Sequence, residues 1–237
     1  MNILVTGGTS GLGNSIVHRL AASPANFVYF TYCNSEAEAK EMESNFRNTK
    51  GIACDFSVQD SVNLLIHEIP NMNLDVLINN AYSKPNARHF IKLDAGEIRE
   101  DFEHNVLSTI RITQACIMGF REKKSGQLIT ILSSYLLNPP TGMALYAAGK
   151  SYLLSMVKSW ANENAKYNIT STAISPSFML TRMTKDTDER VIEQIAASHP
   201  LRRLTSPEEV VDVVVKLLHN PIHSGENLII DGTQKPI

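Results

Sequence analysis

Residues 2–13 read Asn2-Ile3-Leu4-Val5-Thr6-Gly7-Gly8-Thr9-Ser10-Gly11-Leu12-Gly13, a short apolar run that breaks into glycines and then into a segment of helical period. A run with no polar interruption suits a strand covered on both faces. Glycines let the following turn bring its backbone close to a ligand, and the first amides of the next helix are donors without intrahelical partners. Strand, glycine turn and helix in that order predict a loop that holds a pyrophosphate on a helix N-terminus. Gly7, Thr9, Ser10, Gly11, Leu12 and Gly13 are its candidate contacts. The alternative is a tight strand-to-helix turn with no ligand.

The same alternation continues outward from this loop. Residues 2–6, 27–32, 51–54, 74–79, 127–132, 169–174 and 227–230 read as strands, several of them unbroken apolar runs. Segments of helical period lie between them over 12–22, 35–46, 57–69, 95–120, 144–167 and 207–219. The last opens with Ser206-Pro207-Glu208-Glu209, a serine cap with proline and acids in the first turn. Strand–helix repetition with short connections predicts right-handed crossovers. The expected fold is therefore α/β: one doubly wound Rossmann domain over 1–237, a seven-stranded parallel sheet with helices on both faces. No linker, repeat or low-complexity tract divides it.

Bulk properties narrow the function. The chain has 237 residues, 43% hydrophobic and 19% charged, with a formal net charge of -2. That balance gives no nucleic-acid footprint and no basic membrane-binding face. Three scattered cysteines, Cys33, Cys54 and Cys116, show no metal-ligand spacing and point to a reducing compartment. The four-residue apolar start is too short for a signal peptide, and no run approaches a membrane span. The expectation is a cytoplasmic protein with neither nucleic acid nor membrane as partner.

The spacing Thr6-Gly7-x-x-x-Gly11-x-Gly13 resembles the nucleotide loop of the short-chain dehydrogenase/reductase family. The resemblance runs through Asp55, Asn79-Asn80-Ala81, Asn105, Ser133, Tyr146-Ala147-Ala148-Gly149-Lys150 and Pro176, and ends in Gly225 to Gly232. These elements span the chain in the family's order. The general pattern is most similar to the 3-oxoacyl-carrier-protein reductase-like members. The resemblance implies an NAD(P)-dependent oxidoreductase that moves a hydride between nicotinamide and a carbonyl/alcohol substrate.

Tyr146 and Lys150 are four residues apart in a helical stretch, so they share a face. A free phenol has a pKa of about 10, and a neighbouring ammonium is expected to lower it toward the working range. The resemblance makes Tyr146 the general acid or base, and Lys150 its partner and a donor to the nicotinamide ribose. It places the catalytic serine at Ser133, thirteen residues before Tyr146, rather than at Ser134. It also gives Asn105 the task of kinking its helix and holding a water that relays protons to the lysine.

By the same resemblance, Asp55 and Phe56 contact adenine, Asn79 and Ala81 line the adenine-ribose side, and Pro176, Met179 and Thr181 surround the carboxamide and pyrophosphate. Tyr82 departs from the family, which has glycine there; a backbone position needing positive φ would disfavour it. No acid follows the second strand in Thr31-Tyr32-Cys33-Asn34-Ser35, so a 2′-phosphate meets no repulsion. Asn34 and Ser35 are its candidate contacts, and NADP is favoured over NAD. A lid over 178–200 is expected to cover the substrate. Tyr135, Leu136, Asn138, Met143 and Phe178 are the candidate substrate contacts, and their apolar bias suits a small-molecule or acyl-thioester substrate. No metal is expected, and a homodimer or homotetramer is, with Ile110, Ile117, Leu153, Met156 and Trp160 serving either the subunit face or the core.

Two other functions fit parts of the pattern. A catalytically silent nucleotide sensor or scaffold would keep the loop but has no need of Tyr146 and Ser133. A sugar-nucleotide epimerase would be expected to carry a larger C-terminal substrate region.

Overall fold

The computed structural model describes residues 1–181, 184–220 and 223–232. Seven parallel strands form one sheet in the order β3-β2-β1-β4-β5-β6-β7. They are β1 (Asn2–Val5), β2 (Phe27–Tyr32), β3 (Thr49–Ala53), β4 (Val76–Asn79), β5 (Gly126–Ile131), β6 (Ile169–Pro176) and β7 (Asn227–Ile230). Among the described residues, eight α-helices connect or flank them: α1 (Gly11–Ala21), α2 (Glu36–Asn45), α3 (Gln59–Glu68), α4 (Ala95–Asp101), α5 (Ser108–Lys123), α6 (Ala144–Asn164), α7 (Glu189–Ser198) and α8 (Pro207–His219). The expected doubly wound sheet is the observed one.

The unbroken apolar strands divide their side chains between two cores. Ile3 and Val5 of β1, Ile78 of β4 and Ile129 of β5 join Ile16 and Val17 of α1 and Val210 and Val214 of α8. Leu4, Leu77 and Leu128, one position out of step, join Leu65 of α3, Ile112 of α5 and Val157 of α6. A strand with period two must carry apolar residues at every position when both its faces are covered.

The structure departs from the sequence reading at several places. The strand expected over 51–54 begins at Thr49, because Thr49 and Lys50 pair with Val28 and Tyr29 of β2. The helix expected over 95–120 is three pieces, with a π-helical turn, Phe102–Leu107, between α4 and α5. The region expected as a lid contains α7, which buries none of its residues fully, while Arg182 and Met183 of that region lie outside the described residues. Ile117, Leu153 and Trp160, left open between subunit face and core, are buried in the core.

Strand order reverses between β1 and β4, and open α/β sheets offer a crevice at the carboxyl ends of the strands at such a point. A cavity lies there among the described residues.

Candidate active site

The glycine loop leaves β1 and is pinned from both sides. The Gly7 N–H donates to Thr31 Oγ1 at 2.8 Å, and the Gly8 N–H to the Thr31 carbonyl at 2.8 Å. Asn80 Nδ2 donates to the carbonyls of Thr6 (2.9 Å) and Gly7 (3.1 Å), while Thr6 Oγ1 accepts from the N–H groups of Asn80 and Ala81. A Cβ at Gly13 would lie 2.1 Å from the Gly7 carbonyl oxygen, so only glycine lets the helix start this close beneath the loop. Gly7 itself has φ +68°, where a side chain is strained. The Ser10 side chain does not cap α1, and the first turn of α1 holds no acid. That leaves amide donors at a positive helix end beside the cavity, which is what a pyrophosphate needs.

The cavity holds about 300 Å³ and runs from this loop to the ends of β4, β5 and β6. Gly7, Ser10, Gly11, Leu12, Gly13, Ala81, Pro176, Met179 and Thr181 line it, as does the group Ser133, Tyr146 and Lys150. Tyr135, Met143 and Phe178 form its apolar wall. The residues present therefore fit a dinucleotide laid from the glycine loop toward the phenol.

Other expected contacts lie elsewhere. Leu136 is half-buried against the core and Asn138 is exposed, and neither lines the cavity. Thr9 is buried and also outside the lining. Asn34, Ser35, Asp55 and Phe56 follow the carboxyl ends of β2 and β3, at the same sheet edge but beyond this cavity. Asp55 Oδ1 accepts from the Ser57 N–H and hydroxyl at 2.8 and 2.7 Å, which holds its carboxyl below the usual range. Asn79 was expected on the ribose side but faces α5, where its Nδ2 donates to Thr113 Oγ1 at 2.9 Å. Its neighbour Asn80 lines the cavity instead. Strand alternation carried that signal, since Asn79 shares the face of Leu77. Lys84, Pro85, Thr184 and Thr187 also line the cavity without having been singled out from the sequence.

Ser133 ends the segment after β5 and is buried, and its Oγ accepts from the Tyr135 N–H at 3.2 Å. Tyr146 and Lys150 rise from the first turns of α6, with Lys150 Nζ 5.7 Å from the Tyr146 ring centre. Lys150 is only 3% exposed and donates to the Ile131 carbonyl at 2.8 Å. Burial pushes its pKa down to about 7. Burial also raises the Tyr146 phenol above its ordinary value, against the opposing effect of the Ser133 hydroxyl. The sequence reading expected the lysine to lower the phenol's pKa. In the structure desolvation dominates both groups, and the phenol holds its proton at neutral pH. A protonated phenol beside a second hydroxyl can bind a carbonyl oxygen between them and give it a proton as charge builds there.

Asn105 lies in the π-helical turn. Its Oδ1 accepts from the Ser83 N–H (2.8 Å) and hydroxyl (2.9 Å), its Nδ2 donates to Asp101 at 3.1 Å, and its carbonyl accepts from Thr109 Oγ1 at 2.8 Å. Tyr82 does not have positive φ, so the tyrosine in the family's glycine position carries no backbone strain.

Comparison with known proteins agrees with this geometry. The family model for short chain dehydrogenases matches residues 1–191. A 3-oxoacyl-[acyl-carrier-protein] reductase of Aquifex aeolicus is 30% identical over 90% of this chain and 88% of its own. An acetoacetyl-CoA reductase of an Acinetobacter species is 28% identical over 97% of this chain and 95% of its own. The crystal structure of a putative betaketoacyl-ACP reductase superposes with a TM-score of 0.86 at 27% identity, covering 98% of this chain and 96% of the other.

Proposed function

The chain belongs to the short-chain dehydrogenase/reductase family and is an NAD(P)-dependent oxidoreductase of keto and hydroxy groups, and from that premise we propose that it reduces a 3-oxoacyl thioester with NADPH. The observation that carries the reading is the half-buried Tyr146 phenol beside Ser133, in a cavity continuous with the glycine loop. A bound nicotinamide would supply the hydride. Ser133 and Tyr146 would hold the substrate oxygen between their hydroxyls, and Tyr146 would deliver its proton as the oxygen gains charge. Lys150 would bind the ribose and hold positive charge near the phenolate that remains. Tyr135, Met143 and Phe178 would exclude water around the acyl chain.

NADPH is favoured by the absence of an acid in Cys33-Asn34-Ser35 after β2, where a 2′-phosphate meets no repulsion. We also propose a homodimer or homotetramer. Phe102 and Tyr152, in edge contact on α6 and the turn before α5, are partly exposed apolar residues suited to a subunit face, as is the exposed Met118 of α5.

Absorbance of NADPH and NADH at saturating acetoacetyl thioester tests the activity. Turnover with NADPH favoured by tenfold or more is expected. Tyr146→Phe should lose on the order of 10²–10⁴-fold in kcat while dinucleotide binding stays intact. Absence of turnover across thioester, steroid, sugar and small ketones, with tight dinucleotide binding, would reject the reading.

A further inference from the structure

Lys150 has an unusual roof. Its Nζ sits 4.1 Å from the ring centre of Tyr82, closer than to the Tyr146 ring. Tyr82 also stands edge-on to Tyr146, with centroids 5.1 Å apart. One N–H of the lysine is taken by the Ile131 carbonyl. The Tyr82 hydroxyl is buried and finds no hydrogen-bond partner among the described residues. A polar atom placed so is costly, and a hydroxyl that bonds to nothing leaves the ring as the useful part of the side chain.

We propose that Tyr82 is a positioning residue for Lys150: its ring faces the ammonium, favours the charged form by cation–π attraction, and occupies the space beneath the lysine in place of water. An ammonium over an aromatic face is attracted by the ring quadrupole, most strongly where water is excluded. Burial alone drives the lysine toward neutrality at pH 7, so an opposing attraction in this range changes how much of it is charged. The inference rests on the role given to Lys150 in the proposed function.

The surroundings hold the ring there. Asn105 fixes the backbone next to Tyr82 by accepting both donors of Ser83. Asn105 Oδ1 and Nδ2 are bonded to Ser83 and Asp101, which makes the side chain a brace for residues 82 and 83. The slot for the hydroxyl exists because residue 149 is glycine; a Cβ there would lie 2.3 Å from Tyr82 Oη. Among the described residues, the titratable groups facing the lysine are Tyr82 and Tyr146, while Asp101 of α4 acts on the Tyr82 phenol and Tyr135 on Tyr146.

The test compares Tyr82→Phe, which keeps the ring, with Tyr82→Leu, which fills the slot without one. NMR titration of lysine side-chain ε-carbons, with Lys150 assigned through Lys150→Met, reads the ammonium directly. Tyr82→Phe should titrate with the parent protein, and Tyr82→Leu should fall by about one pH unit. The alkaline limb of turnover should move by the same amount. If Tyr82→Leu does not fold, Tyr82→Met carries the comparison. Equal titration in the ring-bearing and ringless variants overturns the proposal. A chain that reduces no ketone but shows the titration difference instead rejects the functional reading and leaves this one standing.

Discussion

The floor of the cavity and its outer wall are built on different terms. On the floor, Ser133 and Lys150 are buried, the phenol of Tyr146 is shielded, and β5 and α6 pass directly into the sheet and its core. The outer wall near α7 is held by short local bonds, such as Thr184 Oγ1 donating to the Met179 carbonyl at 2.7 Å, and by an exposed ion pair between Lys84 and Asp186. Proton transfer tolerates displacements of a fraction of an ångström, so its groups sit on elements whose movement would disturb the core. Substrate must enter and leave, and segments that do this come from the weakly held parts of a fold. Changes to the floor should therefore act on rate and folding, and changes to the wall on substrate affinity.

The largest effect is expected at the loop end of the floor. Gly13→Ala places a methyl against the Gly7 carbonyl, a backbone atom that cannot step aside without breaking the bonds from Asn80. We expect dinucleotide affinity to fall at least tenfold and stability by about 1–3 kcal/mol. Fluorescence titration of NADPH and thermal melting measure the two. Undiminished affinity would mean that the loop does not bind the dinucleotide.

Next comes the slot beneath Lys150. Gly149→Ala should cost about 1–3 kcal/mol because its methyl strikes the Tyr82 hydroxyl. The same methyl would lie 3.6 Å from the ring carbon that bears that hydroxyl, an ordinary contact. In a Tyr82→Phe background Gly149→Ala should become neutral or stabilising, since alanine is the better helix former by up to about 1 kcal/mol. Denaturant unfolding of the two single variants and the double variant gives the coupling. Additive losses would place the hydroxyl elsewhere.

How much of this was legible in the sequence follows the same division. Helix α8 starts where Ser206, Pro207 and Glu209 place it, because a capping box is local chemistry, and the structure shows both of its bonds. Strand β2 needed only its own apolar run. The first residues of β3 were hidden, because Thr49 and Lys50 become strand only by pairing with β2. The π-helical turn was hidden too, since it inserts into an apolar pattern that reads as one continuous helix. The group Ser133, Tyr146 and Lys150 was legible only through the family resemblance, since helices carry many Tyr-x-x-x-Lys pairs, and the structure brings the three to one cavity. The direction of the phenol's pKa was not, because it depends on how much water is excluded around it. Tyr82 was visible only as a departure; its contact with Lys150 joins residues far apart in the chain.

A buried lysine leaves a signature in stability that separates floor from wall without any substrate. The unfolded chain keeps the Lys150 ammonium protonated to about pH 10.5, whereas the folded chain releases the proton near 7. Between those values the unfolded state binds more protons, so this group makes stability rise with pH. The raised phenol of Tyr146 works in the opposite direction only above its ordinary value near 10. Lys150→Met should therefore be the more stable protein at pH 7, and its advantage should shrink steadily toward pH 9.5. Melting both proteins across that range checks it. A constant difference would mean that the lysine titrates normally and is hydrated.

The smallest effect is expected at the wall. Lys84 and Asp186 join the segment after β4 to the segment before α7 at 2.7 Å, and both side chains are more than half exposed. Exposed pairs contribute little to folding, so Lys84→Ala should leave the melting temperature unchanged. It should also leave kcat unchanged, since neither charge reaches the phenol. What it removes is a tether beside the cavity that Lys84 itself lines. We expect KM for the thioester to rise by less than about threefold, and that difference to disappear in 0.5 M salt, where the Debye length falls to roughly 4 Å. Steady-state kinetics at low and high salt decide it. A fall in kcat larger than the rise in KM would show that the wall positions the reacting groups, and the division between floor and wall would not hold.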